Sequence, residues 1–223
     1  MKKAVVLLSG GLDSAVCLYA AKAKGYRPVC LSFDYNQRHR AELQAAKKLA
    51  ASAGAEHIIE KIKLPEASSL LLDKKKKLPD RKLSQIKKSG IPATYVPARN
   101  IIFLSFALSY AEAKKAEAVY IGVNALDYSG YPDCRPEFIR AFEKAARLGT
   151  RQGQRGKPVK IKTPLIKKSK AQIIKLGQSL KVPFNKTLSC YDGRKKPCLK
   201  CDSCLLRQKG FREAGLKDPL IHP

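Results

Sequence analysis

Ala4-Val5-Val6-Leu7-Leu8-Ser9-Gly10-Gly11-Leu12-Asp13-Ser14 is the stretch that decides the fold. Ala4 to Leu8 is a short apolar run rich in Val and Leu, which predicts a buried parallel strand. Ser9-Gly10-Gly11 predicts a sharp turn. Ser14 to Lys24 predicts a helix whose apolar surface comes from Val16, Leu18, Ala20 and Ala21, closed by Gly25 as an αL cap. Glycines at such a turn let the backbone take positive φ and approach a ligand closely. The helix start offers unpaired N–H groups and a positive dipole end, and Ser9 and Ser14 add hydroxyls. Leu8, Ser9, Gly10, Gly11, Leu12, Asp13 and Ser14 therefore form a candidate anion cradle of the size of a diphosphate. No Gly-Lys-Ser/Thr follows, so the turn is not a Walker A loop. It also lacks the three spaced glycines of a dinucleotide fingerprint.

Outward from that turn, strands alternate with helices. Pro28 to Phe33 and His57 to Ile62 read as strands two and three, separated by an alanine-rich helix from Arg40 to Ala53. Asn100 to Ala113 reads as a helix, Ala118 to Val123 as a fourth strand, and Pro136 to Leu148 as a helix opened by proline. Val159 to Ile161 reads as a short strand or extended link. Ser169 to Leu180 carries the capping-box pair Ser169 and Gln172, and a short helix runs from about Cys201 to Glu213. Residues 64–94, with three prolines and a lysine run at Lys74 to Lys77, break the periodicity. They read as a long mobile connection able to cover a site. The alternation predicts an α/β fold with a Rossmann-like parallel sheet and helices on both faces. The expected division is 1–185 for nucleotide and substrate and 186–223 for a small C-terminal zinc-binding segment.

No run of about 18 apolar residues indicates a membrane helix. Five apolar residues after Met1-Lys2-Lys3 are too few for a secretory segment, so the cytoplasm is expected. The chain carries 45 Lys and Arg against 18 Asp and Glu, a formal net charge of +27. Such charge fits a nucleic-acid partner. It also fits a lysine-enriched solvated surface, and that reading is preferred because the lysines are scattered and no aromatic residues interleave them as in single-strand binders.

Seven cysteines in a cytoplasmic chain argue for metal rather than a disulfide framework. Cys190, Cys198, Cys201 and Cys204 have the spacing to wrap one tetrahedral zinc ion, with no open position for catalysis. An iron–sulfur cluster also accepts four cysteines. The bacterial ferredoxin run, however, places its last cysteine three residues on and follows it with proline, whereas Leu205 follows Cys204 here.

SGGLDS at the first strand–helix turn resembles the PP-loop signature of the ATP pyrophosphatases, an adenine nucleotide alpha hydrolase-like class. The resemblance implies ATP cleavage between the α and β phosphates, an adenylated substrate, and an Asp13 that lies near Mg²⁺ and the diphosphate. Three further stretches narrow it: Tyr95-Val96-Pro97-Ala98-Arg99-Asn100, Gly122 through Phe138, and Ser189-Cys190-Tyr191 through Cys204. With SGGLDS they resemble the 7-cyano-7-deazaguanine synthase family of queuosine biosynthesis over nearly the whole chain, Ala4 to Phe211. That family implies 7-carboxy-7-deazaguanine, free ammonia and ATP as substrates, with adenylated acid and amide intermediates, and a homodimer. On the residues' own chemistry, Asp127, Tyr128, Tyr131, Asp133 and Arg135 supply the acidic acceptor and planar surface a deazaguanine ring needs. Arg99 offers a fixed charge for phosphates, and the PP-loop resemblance gives Lys170 a phosphate contact. The chain departs from the family at Asn36 and Leu199, where glycine is common. Two other readings carry weight: a PP-loop tRNA-modifying enzyme, favoured by the charge, and a basic zinc-ribbon nucleic-acid binder, for which a diphosphate cradle has no use.

Overall fold

A computed structural model describes residues 2–38, 40–65, 68–73, 75–76, 83, 86, 90–124, 130–193 and 196–222. Its elements, in chain order, are β1 (Lys3–Leu7), α1 (Leu12–Ala23), β2 (Arg27–Asp34), α2 (Ala41–Ser52), β3 (Glu56–Lys61), α3 (Arg99–Ala113), β4 (Ala118–Tyr120), α4 (Pro136–Gly149), α5 (Arg151–Gln154), β5 (Lys160–Lys162), α6 (Lys170–Ser179) and α7 (Asp202–Ala214). The five strands form one parallel sheet in the order β3-β2-β1-β4-β5.

Alternation along each buried strand builds two cores, one per face. Ala4, Val6, Cys30, Ala118 and Tyr120 point to a core completed by α1, α2, α6 and Phe211 of α7. Val5, Leu7, Val29, Leu31, Phe33 and Val119 point to the other, completed by Leu104 and Ala107 of α3 and Ile139 of α4. Helices thus cover both faces, as the alternating pattern predicts. The chain leaves β1 toward β2 on one side, while β4 pairs on the other. The carboxyl ends of β1 and β4 therefore flank a topological switch point, where open sheets of this kind bind ligands.

Several boundaries differ from the sequence expectation for local reasons. Helix α1 begins at Leu12 rather than Ser14, because Gly11 is already the extended N-cap, at φ −77° and ψ 165°. Strand β4 stops at Tyr120 rather than Val123: a Cβ on Gly122 would lie 3.1 Å from Asp13 C and Ser14 N, so the chain leaves the ladder where it presses against the start of α1. The capping box of α6 is present, with Ser169 Oγ accepting from Gln172 N at 3.2 Å and Gln172 Oε1 from Ser169 N at 2.9 Å. The one-turn helix α5 is additional. In the long connection expected over 64–94, the described residues Leu64, Leu71 and Thr94 are buried. Leu71 O accepts from Arg38 N at 3.1 Å and Ala93 O from Leu70 N at 2.9 Å. These parts of the connection are packed down against the body. Lys74 and Lys77 lie outside the described residues.

Candidate active site and cysteine cluster

The turn after β1 is held by its own serines. Ser14 Oγ donates to Gly11 O at 2.9 Å and accepts from Ser9 N at 3.2 Å, while Ser9 Oγ accepts from Gly11 N at 3.2 Å. Gly10, at φ +93°, lies so close to α2 that a Cβ there would sit 2.1 Å from Glu42 O. The turn faces a cavity of about 300 Å³ at the carboxyl ends of β1, β2 and β4. Leu8, Ser9, Gly11, Leu12, Asp13, Ser14, Arg99, Tyr131 and Lys170 all line it. Gly10 stands behind it.

Asp13 on α1 and Lys170 at the first turn of α6 meet across this cavity. Lys170 Nζ donates to both carboxylate oxygens, at 2.8 and 2.7 Å, and the two side chains keep 16% and 28% of their surface exposed. Solvent contact leaves the pair free to exchange partners, which a sealed ion pair is not. Arg99, also on the lining, donates to Tyr35 Oη at 3.4 Å and lies over the Phe103 ring. Burial opposes the Arg99 charge, but Tyr35, Tyr131 and Tyr191 around it hold its ionisation above the ordinary range. Phe33 and Phe103 stack at 4.0 Å, and Tyr131 lies beside Tyr95 and hydrogen-bonds Thr94 at 2.8 Å. The lining thus combines aromatic rings around a buried cation with the turn after β1 and its neighbouring Lys170.

The segment expected to bind the substrate divides. Asp127 and Tyr128 lie outside the described residues. Tyr131 lines the cavity, but Asp133 and Arg135 stand outside its lining. Asp133 is buried, accepting from Asn100 N at 3.0 Å and Asn100 Nδ2 at 3.3 Å. It thereby holds the start of α3, where Ala98 takes a left-handed φ of +53°. Arg135 is the exposed N-cap of α4. Glu42 and Ser189 are among the cavity residues that escaped the sequence reading. Glu42 is buried on α2, and burial pushes its carboxyl well above the usual range, against the pull of Arg99. Ser189, next to the first clustered cysteine, accepts from Leu12 N at 3.1 Å. Nothing in spacing or periodicity marks either.

Cys190, Cys198, Cys201 and Cys204 bring their sulfurs within 4.8 Å of one another. A tetrahedral zinc with bonds near 2.3 Å needs sulfurs about 3.8 Å apart, so the cluster fits one ion. Backbone amides turn toward the sulfurs: Cys198 N donates to Cys190 Sγ at 3.3 Å and Cys201 N to Cys198 Sγ at 3.4 Å. Hydrogen bonds from Cys201 and Cys204 push the Cys190 thiol down, and the same bonds to Cys190 push Cys201 and Cys204 up. A cation held by all four sulfurs would need them as thiolates, so its binding would release protons. For a hard cation such as magnesium, the partly exposed Asp13 carboxylate is an oxygen ligand of the right kind.

The model of the family described as "Queuosine biosynthesis protein QueC" matches residues 3–215. The 7-cyano-7-deazaguanine synthase of Trichodesmium erythraeum is 57% identical over 222 residues, covering 98% of this chain and 100% of that protein. The protein of the same name from Acetivibrio thermocellus is 57% identical over 221 residues, 99% of this chain and 97% of its own. Among solved structures, a 4-thiouridine synthetase in complex with RNA and bound ATP aligns with a TM-score of 0.51 at 18% identity, covering 96% of this chain and 50% of that one. The last likeness is one of fold. No helix among the described residues is long and apolar enough to cross a membrane.

Proposed function

The chain belongs to the queuosine biosynthesis protein QueC family, and from that premise we propose that it converts 7-carboxy-7-deazaguanine, ammonia and ATP into 7-cyano-7-deazaguanine. The observation that carries this reading is the shared cavity: the cradle of SGGLDS and the aromatic rings around Arg99 open into one space. A carboxylate on a planar base and the α-phosphorus of ATP can meet there.

In the proposed first step a carboxylate oxygen attacks the α-phosphorus and diphosphate departs. The N–H groups and positive end of α1 receive that charge. Lys170 would exchange Asp13 for phosphate, and Asp13 would then hold magnesium, whose charge would offset that of the diphosphate. Ammonia then attacks the acyl carbon, and AMP leaves with one carboxyl oxygen. A second ATP takes the amide oxygen in the same way, and loss of AMP and both N–H protons yields the nitrile. Phe33, Phe103, Tyr131 and Arg99 are proposed to hold the ring. Asp127 and Glu42 are the candidate acceptors for its N–H donors, and Asp133 shapes that wall through Asn100. Zinc on the four cysteines is structural. We further place the protein in the cytoplasm as a homodimer, with 1–185 as the nucleotide and substrate unit and 186–223 as the zinc-binding segment.

Incubation with ATP, ammonium and 7-carboxy-7-deazaguanine, followed by mass analysis, should show the nitrile and two AMP per product. Asp13→Ala should keep the fold and lose turnover by about a thousandfold or more, since metal and cradle act together in the transition state. A folded Asp13→Ala protein with near-normal AMP release would remove this role. The tRNA-modifying reading rests on the +27 charge. Turnover that requires tRNA and collapses between low and moderate salt would put that reading in first place.

A further inference from the structure

Four consecutive residues tie the C-terminal segment to the cradle: Leu188 and Ser189 bond to the cradle, and Thr187 and Cys190 on either side of them bond within the segment. Thr187 Oγ1 accepts from Arg207 Nη1 at 2.6 Å. Leu188 N donates to Gly10 O at 2.9 Å. Ser189 Oγ accepts from Leu12 N at 3.1 Å. Cys190 is a member of the sulfur cluster. Arg207 is itself fixed by two bonds to Asp218, at 2.6 and 2.8 Å, in a pair whose side chains are each 4% exposed. The Ser189 backbone is therefore fixed on both sides.

A serine hydroxyl has one proton to donate and two lone pairs. Ser14 commits its proton to Gly11 O. Ser9 Oγ lies 3.1 Å from Ser14 Oγ, and with the Ser14 proton committed, Ser9 is the donor of that pair. Both serines of SGGLDS thus use their protons to build the turn. Ser189 uses a lone pair for Leu12 N and keeps its proton, and among the described residues no acceptor takes it. Its oxygen lies 3.5 Å from where a Cβ on Gly11 would stand, at the cavity wall.

We infer that Ser189 donates its hydroxyl proton to the phosphate held in the cradle, so that the cysteine-bearing segment supplies part of the nucleotide site. This rests on the ATP-using reading above. A hydrogen bond to a charged group lost from a bound phosphate weakens affinity by roughly tenfold to a hundredfold.

The test uses the full-length, metal-loaded chain, titrated calorimetrically with ATP, with magnesium pyrophosphate and with adenosine. Ser189→Ala should weaken ATP and pyrophosphate by about tenfold or more, leave adenosine unchanged, and keep the wild-type metal content. Ser189→Thr, which retains the hydroxyl, should keep pyrophosphate affinity within about threefold of wild type. An alanine variant that binds pyrophosphate like wild type overturns the inference. Equal weakening of all three ligands overturns it too, since that reports a general loosening of the site. A wild-type chain that binds neither ATP nor pyrophosphate defeats the ATP-using reading as well. One that binds both, with the alanine variant unaffected, defeats this inference alone.

Discussion

Two tight turns in this chain hold ligand-binding groups, and each needs a left-handed residue. In the cradle it is Gly10, at φ +93°; in the cysteine turn it is Leu199, at φ +62°, between Cys198 and Cys201. The difference lies in what surrounds them. A Cβ on Gly10 would run into the backbone of α2, 2.1 Å from Glu42 O and 2.9 Å from Ala46 N. The Leu199 side chain is 42% exposed. Glycine serves two separable needs, conformation and space. The cradle has both, because its backbone is wedged against a helix while its other face receives a ligand. The cysteine turn has only the conformational need, and a leucine can occupy it at a cost in strain.

The largest expected effect comes from the contents of the second turn. Removing the metal by chelation, or one ligand by Cys204→Ser, should release α7 and the 187–190 tie together, because binding energy at a four-cysteine site is also folding energy, on the order of 10 kcal/mol in small zinc peptides. Thermal unfolding should begin at a clearly lower temperature, and metal analysis of the intact protein should give one zinc per chain. Iron with acid-labile sulfide would replace zinc in that account.

Next in size is Gly10→Ala. Positive φ costs an alanine roughly 1–2 kcal/mol, and overlap with backbone adds about 1–3 more. Urea denaturation should show a loss of about 2–5 kcal/mol, accompanied by loss of ATP binding as α2 is pushed from the turn. An alanine variant as stable as wild type would break the distinction between the two turns, since space would then no longer separate them.

The two turns also mark what could be read in the sequence. Local signals sufficed for the strand, turn and helix around SGGLDS, for the parallel alternation, for the capping box at Ser169 and for the four cysteines, since each is written within a few residues. The remaining features depend on distance in the chain. Lys170 meets Asp13 only because α6 packs on α1. Ser189 reaches Leu12 over 177 positions. Arg207 and Asp218 close on Thr187 inside a segment whose polar composition predicts a surface. Asp133 has the chemistry of a base-binding acid, yet burial beside the start of α3 gives its oxygens to Asn100. Strand β4 reads as longer than it is because its hydrophobic run continues after the ladder stops, and only the approach of Gly122 to α1 says where.

The smallest effect is the sharpest test of the comparison. If Leu199 is strained only in its backbone, Leu199→Gly should stabilise the protein. Relief of the left-handed leucine is worth roughly 1–2 kcal/mol. The extra freedom of glycine in the unfolded chain takes back about 0.5–1 kcal/mol. The lost side-chain contacts are few at 42% exposure. A net gain of about 0.5–1 kcal/mol remains, which for a chain of this length raises Tm by about 1–4 °C. Leu199→Asn should move in the same direction by less, because asparagine tolerates this region better than leucine does. Leu199→Val should move the other way, since a β-branched residue is a worse fit to positive φ. Asn36, at φ +60°, is the internal control: there a residue tolerant of positive φ already stands, so Asn36→Gly should change Tm by less than Leu199→Gly. If Leu199→Gly lowered Tm, the leucine would have to be held by packing the turn needs, and the cysteine turn would then depend on space as the cradle does.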